Sequence, residues 1–105
     1  MSTLDKYASE ALKQKYLPKL ANWELRGGWA LTEIDNGSDA SSIISNVTYD
    51  NNGNWILNGN KRWPGNCKDL MVVFAKNNHT KEINAFLVHL NWSGISTSPI
   101  NHKMA

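Results

Sequence analysis

Leu70-Met71-Val72-Val73-Phe74-Ala75 and Ile83-Asn84-Ala85-Phe86-Leu87-Val88 are two apolar runs of strand length, separated by the polar turn Asn77-Asn78-His79-Thr80. Runs this short, rich in β-branched and aromatic residues and bounded by turn formers, read as strands deep in a sheet core. Packing alone accounts for them. Upstream, Asp50-Asn51-Asn52-Gly53 separates a strand at 43–49 from one at 55–60. Asparagine and glycine supply the left-handed conformations of a tight hairpin, so these two strands pair. A strand at 29–32 precedes them, and strands at 70–76 and 83–90 follow. The turn Asn91-Trp92-Ser93-Gly94 leads to a more polar last strand at 95–100, expected at an edge. The predicted fold is mainly β, a small antiparallel sandwich or barrel of about six strands.

The N-terminal segment has another period. Leu4, Tyr7, Ala8, Ala11, Leu12 and Tyr16 recur at the i, i+3, i+4 spacing of an amphipathic helix, which Ser2 or Thr3 can cap and Asp5 favours at its positive end. Pro18 lacks an N–H and crowds the preceding turn, which predicts that the helix ends near Tyr16 and that a short second turn spans 18–21. Gly27-Gly28 is expected to break helical structure. One or two short helices therefore precede the strands. The helical stripe has no helical partner in this chain, and the C-terminus stops at Lys103-Met104-Ala105 without a cap, so both ends read as cut from a larger fold.

Composition narrows the function classes. The chain has 105 residues, 41% hydrophobic and 19% charged, with a net charge of +2, which suits one small domain. Lys6, Lys13, Lys15 and Lys19 alternate with Asp5 and Glu10, the pattern of a solvated helix face and not of a nucleic-acid surface. No apolar run approaches the roughly 18 residues of a membrane span, and no signal-peptide core follows Met1, so a soluble intracellular chain is expected. The one cysteine, Cys67, has no internal disulfide partner, and the three histidines lack ligand spacing, so no metal site is expected. Asn-x-Ser/Thr triplets at Asn36, Asn46, Asn78 and Asn91 follow from a chain rich in these residues; glycosylation is the weaker alternative.

Two loops can carry chemistry. In Trp29-Ala30-Leu31-Thr32-Glu33-Ile34-Asp35-Asn36-Gly37-Ser38-Asp39 a short apolar strand delivers a polar turn. Thr32 and Ser38 offer hydroxyl donors, and Gly37 lets the backbone approach a ligand. Amides around a Gly-Ser turn can form an anion-binding concavity, although the same residues also make an ordinary turn. Asn60-Lys61-Arg62-Trp63-Pro64-Gly65-Asn66 repeats the design. The Trp63 indole at a strand end can stack on a flat ring, or it is a core tryptophan in a chain that has five. The two loops are expected to face one ligand. No close acid pair and no Ser/His/Asp or Cys/His arrangement occurs, so the chain has no self-contained catalytic machinery.

These stretches, together with Gln14-Lys15-Tyr16-Leu17-Pro18-Lys19-Leu20, Trp55-Ile56-Leu57-Asn58-Gly59 and Ala85-Phe86-Leu87-Val88, resemble the acyl-CoA dehydrogenase family in order and spacing across nearly the whole chain. The glutaryl-CoA dehydrogenase and short-chain acyl-CoA oxidase branch is the nearest in pattern. The resemblance implies that 1–27 is the end of a helical N-terminal domain and 28–105 the middle β-domain, with the C-terminal helical domain outside the chain. It implies FAD as cofactor and an acyl-CoA as substrate. Trp29, Leu31 and Thr32 would then line the isoalloxazine, with the Thr32 hydroxyl near the N1 and C2 carbonyl edge. Gly37 and Ser38 would contact the FAD pyrophosphate or border the acyl-CoA channel. Trp63 would pack on the flavin, with Gly65 close to N5.

The same resemblance places the proton-abstracting glutamate in the C-terminal domain and completes FAD binding with a neighbouring subunit of a homo-oligomer. It implies a mitochondrial or peroxisomal location. This chain departs from the family pattern at three positions: Ile34 stands where proline is usual, Pro64 replaces an aliphatic residue, and Gly65 stands where threonine or serine is common. Pro64 thereby removes one backbone N–H and fixes φ. The alternative is a stand-alone β-sandwich binding module without chemistry, with exposed tryptophans such as Trp92 serving a protein or carbohydrate partner.

Overall fold

The computed structural model of the chain describes residues 1–65 and 68–104. Expectations that touch Asn66 and Cys67 lie outside those residues. Two helices lead, α1 over Ser2–Tyr7 and α2 over Glu10–Ala21. Among the described residues the strands are β1 (Gly27–Ala30), β2 (Asn46–Tyr49), β3 (Trp55–Asn58), β4 (Leu70–Asn77) and β5 (Ile83–His89). The mainly β architecture behind short helices holds. Its strands form one open mixed sheet and not a closed barrel.

β4 is the spine of that sheet. Along one edge it pairs antiparallel with β5 from Leu70↔His89 to Lys76↔Ile83. Its other edge takes β1 in parallel, from Gly27↔Leu70 to Ala30↔Val73, and then β2 in parallel at Asn46↔Lys76 and Val47↔Asn77. β3 closes the set, antiparallel to β2. The parallel pairings differ from the antiparallel expectation because β1 and β2 both return to β4 by long connections, which leave strand direction free. β4 alternates buried and half-buried residues as a central strand should, whereas β5 is only partly covered, as an edge strand.

Each face of the sheet has its own core. Leu70 packs under the helices with Leu4, Tyr16 and Leu20, joined by Leu87, Leu17 and Leu25. On the opposite face Ala30, Met71, Val73 and Val88 cluster with Leu57, Phe86, Leu90 and Ile95. Residues 95–100 form no strand. Ile95 still covers the core, but Pro99 has no N–H to donate to a ladder.

The helical segment departs from expectation twice. It breaks at Ala8, which is extended, because the Ser9 side chain accepts from the Leu12 N–H and starts a new helix. It then continues through Pro18 to Ala21. Tyr16 and Leu20 are buried on either side of that proline, and burying them contributes roughly 1.5–3 kcal/mol each, against about 3 kcal/mol for an interior proline. Gly27 and Gly28 are not a break but half of β1. A Cβ at Gly27 would touch Leu20 Cδ2 at 3.5 Å, so α2 lies directly on the strand.

The hairpin turn follows expectation. The Asp50 N–H donates to the Asn54 carbonyl at 2.8 Å, and the Asp50 carboxylate accepts from the Asn52 and Asn54 amides, the latter foremost in holding its pKa below the ordinary value. Gly53 is left-handed at φ 86.

Candidate functional site

β1 ends at Ala30, and the chain leaves the sheet as Leu31-Thr32-Glu33. The segment after β3, residues 59–63, runs beside it. Lys61 Nζ donates to the Leu31 carbonyl at 3.0 Å and to Glu33 Oε1 at 2.9 Å, and the Arg62 N–H donates to the Thr32 carbonyl at 2.8 Å. The two loops therefore meet, and Thr32 is bracketed on both sides.

The joint is built around Glu33, which is 4% exposed. Its carboxylate accepts from the Ile44 amide at 2.7 Å, from the Ser45 amide at 2.9 Å and from the Ser45 hydroxyl, in addition to Lys61. Burial alone would raise the carboxyl pKa. The Ser45 hydroxyl, the Ile44 amide, Lys61 and the Ser45 amide together outweigh it and hold the group at about 2, down from 4.5. Gly59 completes the packing, because a Cβ there would overlap the Ser45 side chain and reach Ser45 Cα at 3.0 Å. Glu33 and Lys61 lie in the two loops singled out from the sequence, and Gly59 in a stretch that carries the family resemblance. Their pairing with each other and with Ser45 has no signal there, since no spacing rule pairs residues 28 apart. A charged residue immediately after an apolar strand was the one available hint.

Trp29 and Trp63 are half exposed, at 48% and 55%. Trp63 is thus not the core tryptophan that its apolar bulk allowed. The Trp29 ring is tilted against that of Phe74, with centroids 4.5 Å apart. Trp63 lies under the Arg62 guanidinium at 4.7 Å and has a left-handed backbone, φ 68, which is unusual for so large a side chain. Trp29 and Gly65 line one cavity of about 430 Å³ with Gly28, Met71 and Leu87 beneath the start of α1.

Gly37 and Ser38 lie farther out on the first loop and are exposed. Gly37 is not left-handed, so it does not supply the alternating backbone of an anion concavity. Beside it the Asp39 carboxylate accepts from the Ser41 and Ser42 hydroxyls, the first of these foremost in depressing its pKa. Among the described residues, chain neighbours apart, no atom lies within 4 Å of a Cβ placed on Gly37 or Gly65. Trp92 is half exposed, with its ring tilted against His89 at 5.1 Å.

Residues 28–105 match the family model for the acyl-CoA dehydrogenase middle domain. The chain is 39% identical over 102 residues to glutaryl-CoA dehydrogenase of Desulfococcus multivorans, a match covering 91% of this chain and 26% of that protein. It is 38% identical over 109 residues to the mitochondrial very long-chain specific acyl-CoA dehydrogenase of Bos taurus, covering 93% of this chain and 17% of that protein. Its fold matches a glutaryl-CoA dehydrogenase from Mycobacterium smegmatis in complex with FADH2 with a TM-score of 0.90 at 33% identity, over 99% of this chain and 27% of that one. The chain belongs to the acyl-CoA dehydrogenase family and carries its middle domain. It spans between 17% and 26% of the length of those two sequence relatives.

Proposed function

We propose that this chain supplies the FAD- and acyl-CoA-contacting wall of a flavin-dependent enzyme that dehydrogenates an acyl-CoA thioester between its α and β carbons. The carrying observation is a pair of half-exposed indoles, Trp29 and Trp63, on two loops that meet, with Gly65 after Trp63 lining the same cavity as Trp29. Among the described residues nothing requires glycine at 37 or 65, neither a left-handed turn nor a close internal neighbour. A flat ligand against the loops supplies the missing reason, because main chain without Cβ reaches van der Waals distance of it.

FAD, when bound, supplies the acceptor for hydride from the substrate β-carbon. Trp29, Leu31 and Trp63 pack against its rings and exclude water. The Thr32 hydroxyl donates toward the N1 and C2 carbonyl edge, where negative charge builds on reduction; a fixed donor there stabilises the reduced form. Gly37 and Ser38 serve the pyrophosphate or the mouth of the acyl-CoA channel through single donors. Pro64 offers no N–H, so amide donation beside N5 falls to Gly65.

In the same reading residues 1–27 close an N-terminal helical domain, the α-proton goes to a carboxylate of a C-terminal helical domain, and a second subunit completes the cofactor site. Both mitochondrial and bacterial relatives exist. A mitochondrial or peroxisomal location is the eukaryotic form of this reading. The test is a titration of the ¹⁵N-labelled chain with FAD, following the indole Nε1–H resonances. Trp29 and Trp63 are expected to shift while Trp23, Trp55 and Trp92 stay in place; equal shifts at all five, or none, refute the site.

A further inference from the structure

We propose that Glu33 and Lys61 are positioning residues for the flavin site, a buried clamp that fixes where Thr32 and Trp63 stand relative to each other. The inference rests on the flavin reading above and goes beyond it, because neither side chain faces the ligand. Side-chain exposure is 2% for Glu33 and 7% for Lys61. Such a pair is not needed for burial as such, since apolar residues of similar volume often serve as well. What apolar residues cannot do is specify a register.

Lys61 Nζ spans the residues on both sides of Thr32, bonding the Leu31 carbonyl and the Glu33 carboxylate. Arg62 then bonds the Thr32 carbonyl itself, and Trp63 is the next residue along. A shift of one segment along the other breaks all three bonds at once. The Glu33 carboxylate is in turn held by Ile44 and Ser45 just ahead of β2, so the loops are referenced to the sheet and not only to each other.

Trp63 shows what the clamp sustains. A tryptophan at φ 68 is strained, and such a conformation persists only where its surroundings over-determine it. Here Lys61 and Arg62 tether the chain before it, Pro64 restricts the chain after it, and the Arg62 guanidinium covers one face of its ring. The open face is thereby presented in a single orientation.

The test separates positioning from simple stabilisation. Glu33→Gln with Lys61→Met keeps one acceptor oxygen for Ser45 and keeps the aliphatic volume, but removes the acceptor for the Ile44 amide and the Lys61 bonds on either side of Thr32. The double variant is expected to unfold cooperatively at a lowered midpoint and, under conditions where it is fully folded, to bind FAD about tenfold more weakly and to lose the Trp63 indole shift. Lys61→Arg retains donors on both sides and is expected to recover most of that shift. Tyr16→Phe, remote from the loops, is expected to lower the midpoint and leave the FAD response unchanged. A double variant that binds FAD within twofold of the parent, with the same Trp63 shift, overturns the clamp alone. No response in the unmutated chain overturns the flavin reading and the clamp with it. Should the double variant not fold, Lys61→Met alone decides: an FAD response and a Trp63 shift that match the parent's, as expected for Tyr16→Phe, overturn the clamp.

Discussion

Ser45 sits between two constraints: its amide and hydroxyl serve Glu33, and its side chain occupies the space a Gly59 Cβ would need. Gly59→Ala is expected to cost about 1–3 kcal/mol in urea denaturation, the range for overpacking, whereas Gly37→Ala, facing open space, should stay within about 0.5 kcal/mol. Glu33 sets the acid limit. Its pKa is depressed in the folded chain, so the unfolded chain takes up the proton first as pH falls. The stabilisation is complete above about pH 4.5 and is lost as pH drops toward about 2, a change on the order of 3 kcal/mol. Glu33→Gln should remove that limb from a plot of denaturant midpoint against pH. Asp39 and Asp50, shifted in the same direction, leave a shallower slope behind.

Between elements, the helices add one polar contact to their apolar core. Tyr16 of α2 shares a 2.6 Å hydrogen bond with His89 Nε2 at the end of β5, with the rings 5.4 Å apart. Tyr16→Phe keeps the packing and loses the bond, an expected cost of about 1 kcal/mol by thermal or urea unfolding. The β2–β3 hairpin depends instead on backbone conformation. Gly53→Ala places a Cβ at φ 86 and should cost about 1 kcal/mol, with faster amide exchange confined to β2 and β3. The hairpin was legible in the sequence because Asp-Asn-Asn-Gly is local chemistry. The helix break at Ser9 was not, since Ser9 is one polar residue within a repeat that continues through it.

The whole molecule is a slab of 39 × 37 × 26 Å with a Cα radius of gyration of 14.3 Å, against about 13 Å for a compact domain of this length. One sheet with helices over part of one face leaves much apolar surface in water. All five tryptophans keep between 48% and 81% of their surface exposed. Their fluorescence maximum in the free chain is therefore expected near that of the unfolded chain, with only a small shift on denaturation. A strongly blue-shifted maximum would mean that these surfaces are covered by self-association. No helix among the described residues is long and apolar enough to cross a membrane.

Local chemistry determined the turns, the strand-length apolar runs and the order of segments, because these depend on periodicity and on what asparagine, glycine and proline permit. The same residues allowed Trp29, Thr32 and Trp63 to be singled out as loop positions at strand ends. Only the tertiary structure decided that β1 and β2 share one edge of β4, that 95–100 is not a strand, and that α2 runs through Pro18. Each depends on distant partners competing for the same backbone groups or the same core. The pairing of Glu33 with Lys61 belongs to that second kind. Two charges 28 residues apart carry no mark of each other until the ends of β1 and β3 come together and bury them.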